Sequence, residues 1–548
     1  MPGLILFFGA FIFYLISLAP TVTAGDSGNL AAAAAVLGIG HPPGYPLYCL
    51  IGKIFTLLLP YGNIAYRTNL MSAFFVSVSL YGIFLIIKNF YAEKLSGLVI
   101  GTAVIASFAF SSSLAKTAVN TEVFALNTFW AVIIIFAITK ITAAPVRTGG
   151  RLSFFYLLCF LFGLGLGNQH TLLLFSPGIL LATLFFFWRC PKKIIFSGLL
   201  IGLTFFVLGL SVYLYLPIRS HINPPLDWEN PETVKSFWKL VTRARYGSFQ
   251  IAQGGKTAAT LSALWSQLFF SKDLLVSQIG IPGLILGLAG FFYLRNWVFL
   301  LFFLISGPAF VFLANLSPGE ASIAILERFQ ILPSLVLIIS AAVFLLRFQQ
   351  KFKFIVLLLP LFFWRPGFSE IYQRNNFLVY DYGKDILRTL PENARLFSDR
   401  ADEIEFSLAY LQLAEKKRTD LTIVDCNAGV FYNIYGNDYY GIWGPKRLAI
   451  REKIEKQIIA QSEQPVYYAS LDLKQIPELV RIPQGLIYFA PQKSNETLPY
   501  FDYSQIYTLR IADSPDYRSA HLAATYPYLL AQYFLSYDRK EKTIEECR

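Results

Sequence analysis

The sequence predicts an α-helical polytopic membrane protein with about eleven transmembrane helices, followed by a C-terminal soluble α/β domain. Of its 548 residues, 55% are hydrophobic and only 15% are charged, whereas soluble globular proteins carry about 25% charged residues. Apolar runs of about 13 to 24 residues recur between residues 3 and 364, and a membrane-spanning helix needs roughly 20 such residues. After residue 365 these runs stop, so we expect a soluble domain there.

The apolar runs divide the chain into a membrane domain, residues 1–365, and a soluble domain, residues 366–548. The predicted spans are 3–19, 68–87, 97–114, 122–141, 152–167, 171–188, 194–216, 279–294, 297–315, 329–346 and 352–364. The first run lacks a basic segment before it, although the small residues at 21–24 leave a cleaved signal peptide open. We expect a retained helix, because Asp26 just beyond it is a candidate functional residue.

The charges in the loops predict the orientation in the membrane. With a cytoplasmic N-terminus, the cytoplasmic loops and their edges hold many cations, and Glu93 is the only acid among them. These cations are Lys88, Lys94, Lys140, Arg147, Arg151, Arg189, Lys192, Lys193, Arg295, Arg347, Lys351 and Lys353. The positive-inside rule therefore predicts a cell (inner or plasma) membrane protein whose other loops and C-terminal domain are non-cytoplasmic. If the short span 352–364 did not cross, the C-terminal domain would be cytoplasmic instead.

The composition also limits the partners. The formal net charge of +12 is explained by the basic loops, so we expect membrane lipids and no nucleic acid as partners. Five cysteines are scattered with no CxxC pair, and no histidine has metal-ligand spacing. The sequence therefore predicts no disulfide framework and no zinc site, and it leaves dependence on a divalent metal open.

Two predicted outer regions are longer than simple connections. Thr21–Arg67 contains an Ala-rich stretch at 30–37, which we interpret as a helix along the membrane interface. Pro217–Gln278 contains a mixed-charge helix near 231–246 and three tryptophans that suit the headgroup level, Trp228, Trp238 and Trp265. Beyond the spans, 394–399 and 421–425 are typical of strands and 403–415 of a helix, which indicates a small α/β domain.

The outer regions also carry the candidate functional residues. Asp26 stands among small residues that leave room for a substrate to approach, as a general base requires. The alternative is an aspartate that caps the helix beginning at Ser27. His41 and Tyr45 lie in a turn with three prolines, which would hold a binding surface rigid or would merely separate two helices.

Further ionisable residues mark the outer ends of other predicted spans, where the bilayer disfavours charge unless a cavity or water receives it. Glu122 would face the same cavity as Asp26 or would complement a helix dipole, and His170 would face that cavity or solvent. Arg219 and Arg328 would bind a phosphate or anchor lipid headgroups. Asp227 and Glu327 lie close to these two arginines in the sequence.

Six segments in order resemble one family. They are GDSGNL (25–30), HPPGYPLY (41–48), YRTNL (66–70), which contains Arg67, NTEVF (120–124), GNQHTLLL (167–174) and YLPIR (215–219). This order is similar to that of a multi-pass membrane family that includes a eukaryotic protein O-mannosyltransferase and many bacterial relatives. The similarity covers roughly the first 230 residues and returns weakly at 327–329 and 394–425. Asn29 departs from the family, which more often carries Glu there, so a second acidic role at this position is in doubt.

The resemblance implies a GT-C-like bundle that transfers a sugar from a polyprenyl-phosphate-linked donor on the outer face, with inversion at the anomeric carbon. The acceptor would be a protein Ser or Thr hydroxyl or an envelope glycan. Asp26 occupies the place of the acidic residue that GT-C enzymes carry after the first helix, so it is the predicted catalytic residue. Predicted substrate-binding residues are His41, Tyr45, Arg67, Glu122, His170, Arg219, Asp227, Glu327 and Arg328.

Two other functions fit the residue pattern alone. A transporter or lipid flippase would also have many helices around a polar cavity, and such proteins often repeat broken helices in two halves. We find no internal repeat in the sequence. A non-catalytic assembly factor whose outer domain binds envelope partners is the second alternative.

Overall fold

The structure is a computed structural model that describes residues 2–90, 95–142, 148–247, 261–294, 296–347, 368–399, 402–471, 481–492, 498–511, 516–540 and 542–543. The predicted span 352–364 lies outside the described residues. So do Glu93, Lys94, Arg147, Arg295, Lys351 and Lys353 of the predicted cytoplasmic loops.

Helices dominate the described chain up to residue 347. They are α1 (Pro2–Ser17), α2 (Ser27–Val36), α3 (Pro46–Leu58), α4 (Ile64–Lys88), α5 (Leu95–Ala109), α6 (Ser112–Val119), α7 (Val123–Thr142), α8 (Thr148–Leu166), α9 (Ser176–Trp188), α10 (Lys192–Leu210), α11 (Tyr215–Ser220), α12 (Val234–Val241), α13 (Leu261–Leu294), α14 (Trp297–Leu304), α15 (Phe310–Ala314), α16 (Glu320–Leu326) and α17 (Ile331–Arg347). Short 3₁₀ or π turns lie at His170–Phe175, Ser211–Leu214, Ala244–Tyr246, Ile305–Ala309 and Glu327–Gln330.

The predicted polytopic membrane character is confirmed. In the described residues, seven helical segments are long and apolar enough to cross a membrane, or eight if the pair α5 and α6, bent by 67°, forms one span. The predicted spans 3–19 and 152–167 fall on shorter apolar helices. Every predicted span before residue 347 therefore coincides with an apolar helix, because an apolar run of this length has little alternative in lipid.

Local chemistry sets several helix ends and one bend. The side chain of Asn63 accepts a hydrogen bond from the backbone nitrogen of Tyr66 and so begins α4. Pro46 occupies the first turn of α3, where its missing N–H costs nothing. Helix α13 is bent where Gly280 has a φ of +65° and Pro282 follows inside the helix.

The C-terminal region contains a mixed sheet with helices. Its elements are α18 (Phe368–Ile371), α19 (Leu378–Thr389), β1 (Arg395–Asp399), α20 (Asp402–Ala409), β2 (Thr422–Asp425), α21 (Pro445–Gln461), β3 (Val466–Ser470), β4 (Ile482–Gln484), β5 (Ile487–Ala490) and α22 (Tyr517–Ser536). The strand order is β2-β1-β3-β5-β4, with β1 parallel to β2 and β3 and with β5 antiparallel to β3 and β4. The predicted strand, helix and strand over 394–425 are confirmed.

Helix α2 is not an interfacial helix, and that prediction is wrong. Leu30 and the following Ala31–Ala34 have no exposed surface, and the helix packs between the bundle and α20. A Cβ atom on Gly28 would lie only 2.5 Å from the carbonyl oxygen of Phe406. Small side chains let two backbones approach closely, whereas they offer lipid little apolar surface. The Ala-rich composition therefore serves contact between the two domains.

Trp228 also differs from its prediction. It is only 4% exposed, and a Cβ atom on Gly429 would lie 2.6 Å from its ring. The predicted headgroup position is therefore wrong for Trp228, whose ring packs against Gly429 of the C-terminal region. Trp238 and Trp265 are both more than half exposed, as a headgroup position requires.

Candidate active site

Asp26 occupies the position directly before α2. The backbone at Asp26 is already helical, and its carboxylate accepts no capping hydrogen bond from α2. The side chain of Asp26 therefore does not cap α2, and its carboxylate is available for another role. Gly25 has a φ of +82°, a conformation that favours glycine, and this turn leads the chain into α2.

Arg328 joins two carboxylates that are distant in the sequence. Its Nη1 donates a hydrogen bond to Oε1 of Glu122 at 2.9 Å and lies 3.5 Å from Oδ2 of Asp26. Glu122 directly precedes α7, and Arg328 lies in the 3₁₀ turn before α17. The three side chains are between 15% and 21% exposed, so water screens these charges less than at an open surface.

His41 lies on the other side of Asp26. Oδ1 of Asn29 accepts a hydrogen bond from the backbone nitrogen of His41 at 3.1 Å and lies 3.0 Å from Nδ1 of the ring. The second ring nitrogen, Nε2, lies 3.9 Å from Oδ1 of Asp26. The ring also contacts Tyr45 and stacks on Phe406, with centroids 4.9 Å and 6.2 Å away. Asn29 therefore orients the imidazole towards Asp26.

A cavity of about 470 Å³ opens beside this cluster. Its charged lining residues are Lys116, Glu122, Glu320, Glu327, Arg328, Glu370, Asp516 and Arg518. Gly25 also lines it, which places the cavity next to Asp26. The helical bundle and the C-terminal region both supply wall residues, and the volume is in the range of small-molecule sites.

Lys116 balances part of the acidic wall of the cavity. Its Nζ lies 3.0 Å from Oε2 of Glu370 and 3.5 Å from Oε2 of Glu327. Glu327, predicted as a substrate-binding residue, therefore lines the cavity in an ion pair. Within the described residues, no group of three or more His, Cys, Asp or Glu side chains is placed to hold a metal ion.

The surroundings favour an ionised Asp26 and a neutral His41. Burial raises the pKa of the Asp26 carboxyl, but the charges of His41 when it is protonated, of Arg328 and of Arg518 together outweigh burial and hold the pKa below its ordinary value. Burial lowers the pKa of His41, and the charge of Asp26 offsets this effect only in part. Because the guanidinium groups keep their charge throughout the physiological range, we expect Asp26 to be ionised and His41 neutral near neutral pH.

Two predicted site residues contact other parts of the membrane domain. Nε2 of His170 lies 2.7 Å from the hydroxyl of Tyr213. Arg219 donates through Nε to the carbonyl oxygen of Leu37 at 2.7 Å and through Nη2 to that of Val36 at 3.3 Å. Arg219 therefore binds the last carbonyl groups of α2, a common place for a basic side chain.

Asp227 and Arg67 also lie apart from the Asp26 cluster. Asp227 accepts a hydrogen bond from Oγ of Ser220 at 2.9 Å, and its backbone forms a bridge with Ile39. Arg67 donates through Nη1 to the carbonyl oxygen of Thr56 at 2.7 Å, near the end of α3. The roles of these residues in substrate binding stay predictions.

Three cations of the site were not predicted from the sequence. Lys116 and Arg518 line the cavity, and the charge of Arg243, between α12 and the turn at Ala244–Tyr246, lowers the pKa of Asp26. Arg243 has a φ of +55° and a buried Nε with no hydrogen-bond partner among the described residues. A non-glycine residue in this conformation is a structural signal of function, but it is invisible in the sequence. Only the fold brings Arg518 next to Asp26.

The comparisons with known proteins confirm the predicted resemblance. Residues 26–194 match the family model described as the Protein O-mannosyl-transferase TMEM260 N-terminal domain. The chain is 26% identical over 433 residues to Protein O-mannosyl-transferase TMEM260 of Mus musculus, a match that covers 75% of this chain and 60% of that protein. It is 27% identical over 479 residues to Protein O-mannosyl-transferase tmem260 of Dictyostelium discoideum, covering 77% of this chain and 56% of that protein.

The chain thus spans less than two thirds of the length of these relatives. Among solved structures it is similar to ArnT from Cupriavidus metallidurans bound to undecaprenyl phosphate, with 12% identity and a TM-score of 0.45. The alignment covers 91% of this chain and 99% of that chain. The apo form of the same protein gives a TM-score of 0.41 at 11% identity.

Proposed function

We propose, on the basis of the similarity to protein O-mannosyl-transferases, that this chain transfers a sugar from a polyprenyl-phosphate-linked donor to an acceptor. The acceptor is a protein Ser or Thr hydroxyl, and the reaction takes place on the non-cytoplasmic side of the membrane. One observation carries the proposal. The Asp26 carboxylate makes no capping bond and lies beside a cavity between His41 and Arg328, at 3.9 Å and 3.5 Å.

Asp26 acts as the general base in the proposed reaction. It accepts the proton of the acceptor hydroxyl, whose oxygen forms a bond to the anomeric carbon of the sugar. The bond between that carbon and the phosphate oxygen breaks at the same time, and the polyprenyl phosphate leaves with the electron pair. Attack opposite to the leaving group inverts the anomeric configuration.

Arg328 stabilises the phosphate as negative charge develops on it. Its Nε is buried and has no hydrogen-bond partner among the described residues, so it offers a donor that a phosphate oxygen would satisfy. Neutral His41 donates through Nδ1 to Oδ1 of Asn29, so its unprotonated Nε2 accepts a hydrogen bond from the acceptor hydroxyl and orients it beside Asp26. Tyr45 packs beside that ring and shapes the same side of the site.

The charges at the helix ends support the proposed side of the membrane. Glu122 precedes α7, which carries Lys140 at its other end, and Arg328 precedes α17, which ends at Arg347. Helices of this length separate their ends by roughly 25–30 Å, about the thickness of the hydrocarbon core. The site therefore lies opposite to basic helix ends, which the positive-inside rule assigns to the cytoplasm.

The proposed function is tested with the full-length protein in lipid nanodiscs. Polyprenyl-phosphate mannose and a peptide rich in Ser and Thr are supplied, and mass spectrometry follows the peptide. We expect a gain of one hexose with the parent protein and with Asp538→Asn, which changes an exposed aspartate. Asp26→Asn should reduce transfer by about 100-fold or more.

A second arm identifies the natural acceptor. Envelope glycoproteins and glycolipids are compared by mass between cells with the intact gene, a deletion and Asp26→Ala at equal protein levels. Loss of one sugar in both altered strains supports a transferase. Movement of an intact lipid-linked sugar across the membrane, with no new covalent product, would instead establish a transporter or flippase.

A further inference from the structure

The C-terminal domain places one guanidinium group in the wall of the cavity. Arg518 lies in the first turn of α22 and lines the cavity together with its neighbours Asp516 and Tyr517. A Cβ atom on Gly25 would lie 3.2 Å from Nη1 of Arg518. The guanidinium group therefore touches the turn that precedes Asp26.

Arg518 has only loose ionic partners. Its Nη1 lies 3.6 Å from Oδ2 of Asp402 and 4.0 Å from Oε1 of Glu403, distances too long for a hydrogen bond. Nη1 is buried and makes no hydrogen bond to any residue that the structure describes. Lys116 differs, because a carboxylate oxygen of Glu370 lies 3.0 Å from its nitrogen.

Arg328 has an unused donor at the same cavity. Its Nη1 is held by Glu122 at 2.9 Å, but its Nε is buried without a partner in the described part of the chain. Native proteins rarely leave buried donors unpaired, and an unpaired donor often marks a ligand. Arg328 and Arg518 thus line one cavity, and each has an N–H donor with no hydrogen-bond partner among the described residues.

The chemistry of these donors points to a phosphate. A guanidinium group presents its N–H groups in a fixed fork that matches phosphate oxygens. Two such groups together would stabilise a leaving phosphate better than one, because its charge increases as the bond to the sugar breaks. The carboxylates of Asp402 and Glu403 lie 3.6 Å and 4.0 Å from Nη1 of Arg518, so neither of them hydrogen-bonds this nitrogen.

We propose that Arg518 binds the donor phosphate together with Arg328, so that the C-terminal domain completes the donor site. This proposal rests on the proposed function and adds a residue to it. The matched family model ends at residue 194, so Arg518 is outside the part of the chain that it covers. A free phosphate would satisfy the same donors as a lipid phosphate, and the experiment separates the two sources.

The test measures binding by the full-length protein in nanodiscs of uncharged lipid. The probes are undecaprenyl phosphate and, separately, inorganic phosphate. We compare the parent with Arg518→Gln, Arg518→Lys, Arg328→Gln and the control Arg539→Gln, whose side chain packs on Tyr500 away from the cavity. Thermal unfolding checks that each variant is folded, and the donor Michaelis constant is measured beside kcat.

We expect Arg518→Gln to weaken undecaprenyl phosphate binding about tenfold or more, with the donor Michaelis constant raised by a similar factor. Arg518→Lys keeps the charge but loses the fork, so it should bind more weakly than the parent and unfold at a similar temperature. Arg539→Gln should bind like the parent. Inorganic phosphate at equal concentration should not displace the lipid.

Three results would overturn the proposal. If both Arg518 variants bind undecaprenyl phosphate like the parent while Arg328→Gln binds weakly, Arg518 is not part of the donor site and the proposed function stands. If equimolar inorganic phosphate displaces the lipid, the site is for free phosphate. If the parent neither binds the lipid phosphate nor transfers sugar, the proposed function fails as well.

Discussion

Oε1 of Glu122 accepts a hydrogen bond from Nη1 of Arg328 at 2.9 Å. The same nitrogen lies farther from Asp26, at 3.5 Å, so Glu122 takes the larger share of the arginine's charge. Arg328 therefore links both carboxylates, and its pairing with Glu122 limits how closely it can pair with Asp26.

Removing the charge of Glu122 should impair catalysis without unfolding the protein. Glu122→Gln keeps a hydrogen-bond acceptor, but it frees Arg328 to pair more closely with Asp26. We expect kcat to fall about tenfold, with a thermal unfolding temperature close to that of the parent. Glu320→Gln, an exposed change on the same cavity, should have little effect. An unchanged kcat in Glu122→Gln would contradict the proposed sharing of Arg328.

The pH dependence of transfer should report the ionisation of Asp26. Burial raises the pKa of Asp26, while His41 and Arg328 lower it further than burial raises it. Asp26 should therefore remain ionised at pH values below about 4, the ordinary pKa of an aspartate. Loss of the positive charge in Arg328→Gln raises the pKa of Asp26, so the acidic limb of kcat/KM must move to higher pH. A limb at the same pH in parent and variant would exclude Asp26 as the titrating group.

Asn29 should act through His41. Asn29→Ala removes the acceptor that orients the imidazole, and we expect about a tenfold loss of kcat/KM. His41→Ala should lose at least as much. If the two residues form one unit, the double variant should be no worse than His41→Ala alone. Losses that simply multiply would show that Asn29 and His41 act independently.

A variant of Arg219 should distinguish a structural role of this residue from the phosphate contact predicted from the sequence. Its two hydrogen bonds to the end of α2 predict that Arg219→Gln lowers stability by about 1.5–3 kcal/mol. We expect a lower thermal unfolding temperature and an unchanged donor Michaelis constant. A raised Michaelis constant with unchanged stability would instead support the phosphate contact predicted from the sequence.

The close packing of α2 on the C-terminal domain should be sensitive to one methyl group. In Gly28→Ala, the added Cβ would lie 2.5 Å from the carbonyl oxygen of Phe406, so the two backbones must separate. We expect a loss of about 1–3 kcal/mol in stability and faster proteolysis between the domains. Gly9→Ala in α1 meets no atom within 4 Å and serves as the control. Equal stability of the two variants would contradict the close contact.

Hydropathy predicted the helices well for a physical reason. A helix that crosses lipid needs a minimum apolar length, so each span is visible in the sequence as a long apolar run. Asp26, Glu122 and Arg328 were also predicted from the sequence, because ionisable residues at the ends of apolar helices are unusual. His41 was predicted from its place in a turn with three prolines. The structure brings these four side chains together.

Other features depend on contacts that no local pattern records. An Ala-rich stretch has the same sequence pattern whether it contacts lipid or protein, so the burial of α2 against α20 could not be predicted. Arg219 and Arg518 are both arginines near helix ends, yet one binds backbone carbonyl groups and the other lines the cavity. Their difference arises from which elements pack beside them.

The long sequence separation between Asp26 and Arg518 has a consequence for biosynthesis. Asp26 leaves the ribosome early, but the cavity wall is complete only after synthesis has passed residue 518 and α22 has docked. A nascent or truncated chain would insert a bundle that carries the carboxylate without its full set of cations. The cavity is therefore assembled from segments that are synthesised far apart in time, and its wall forms only when the later segment docks on the turn at Gly25.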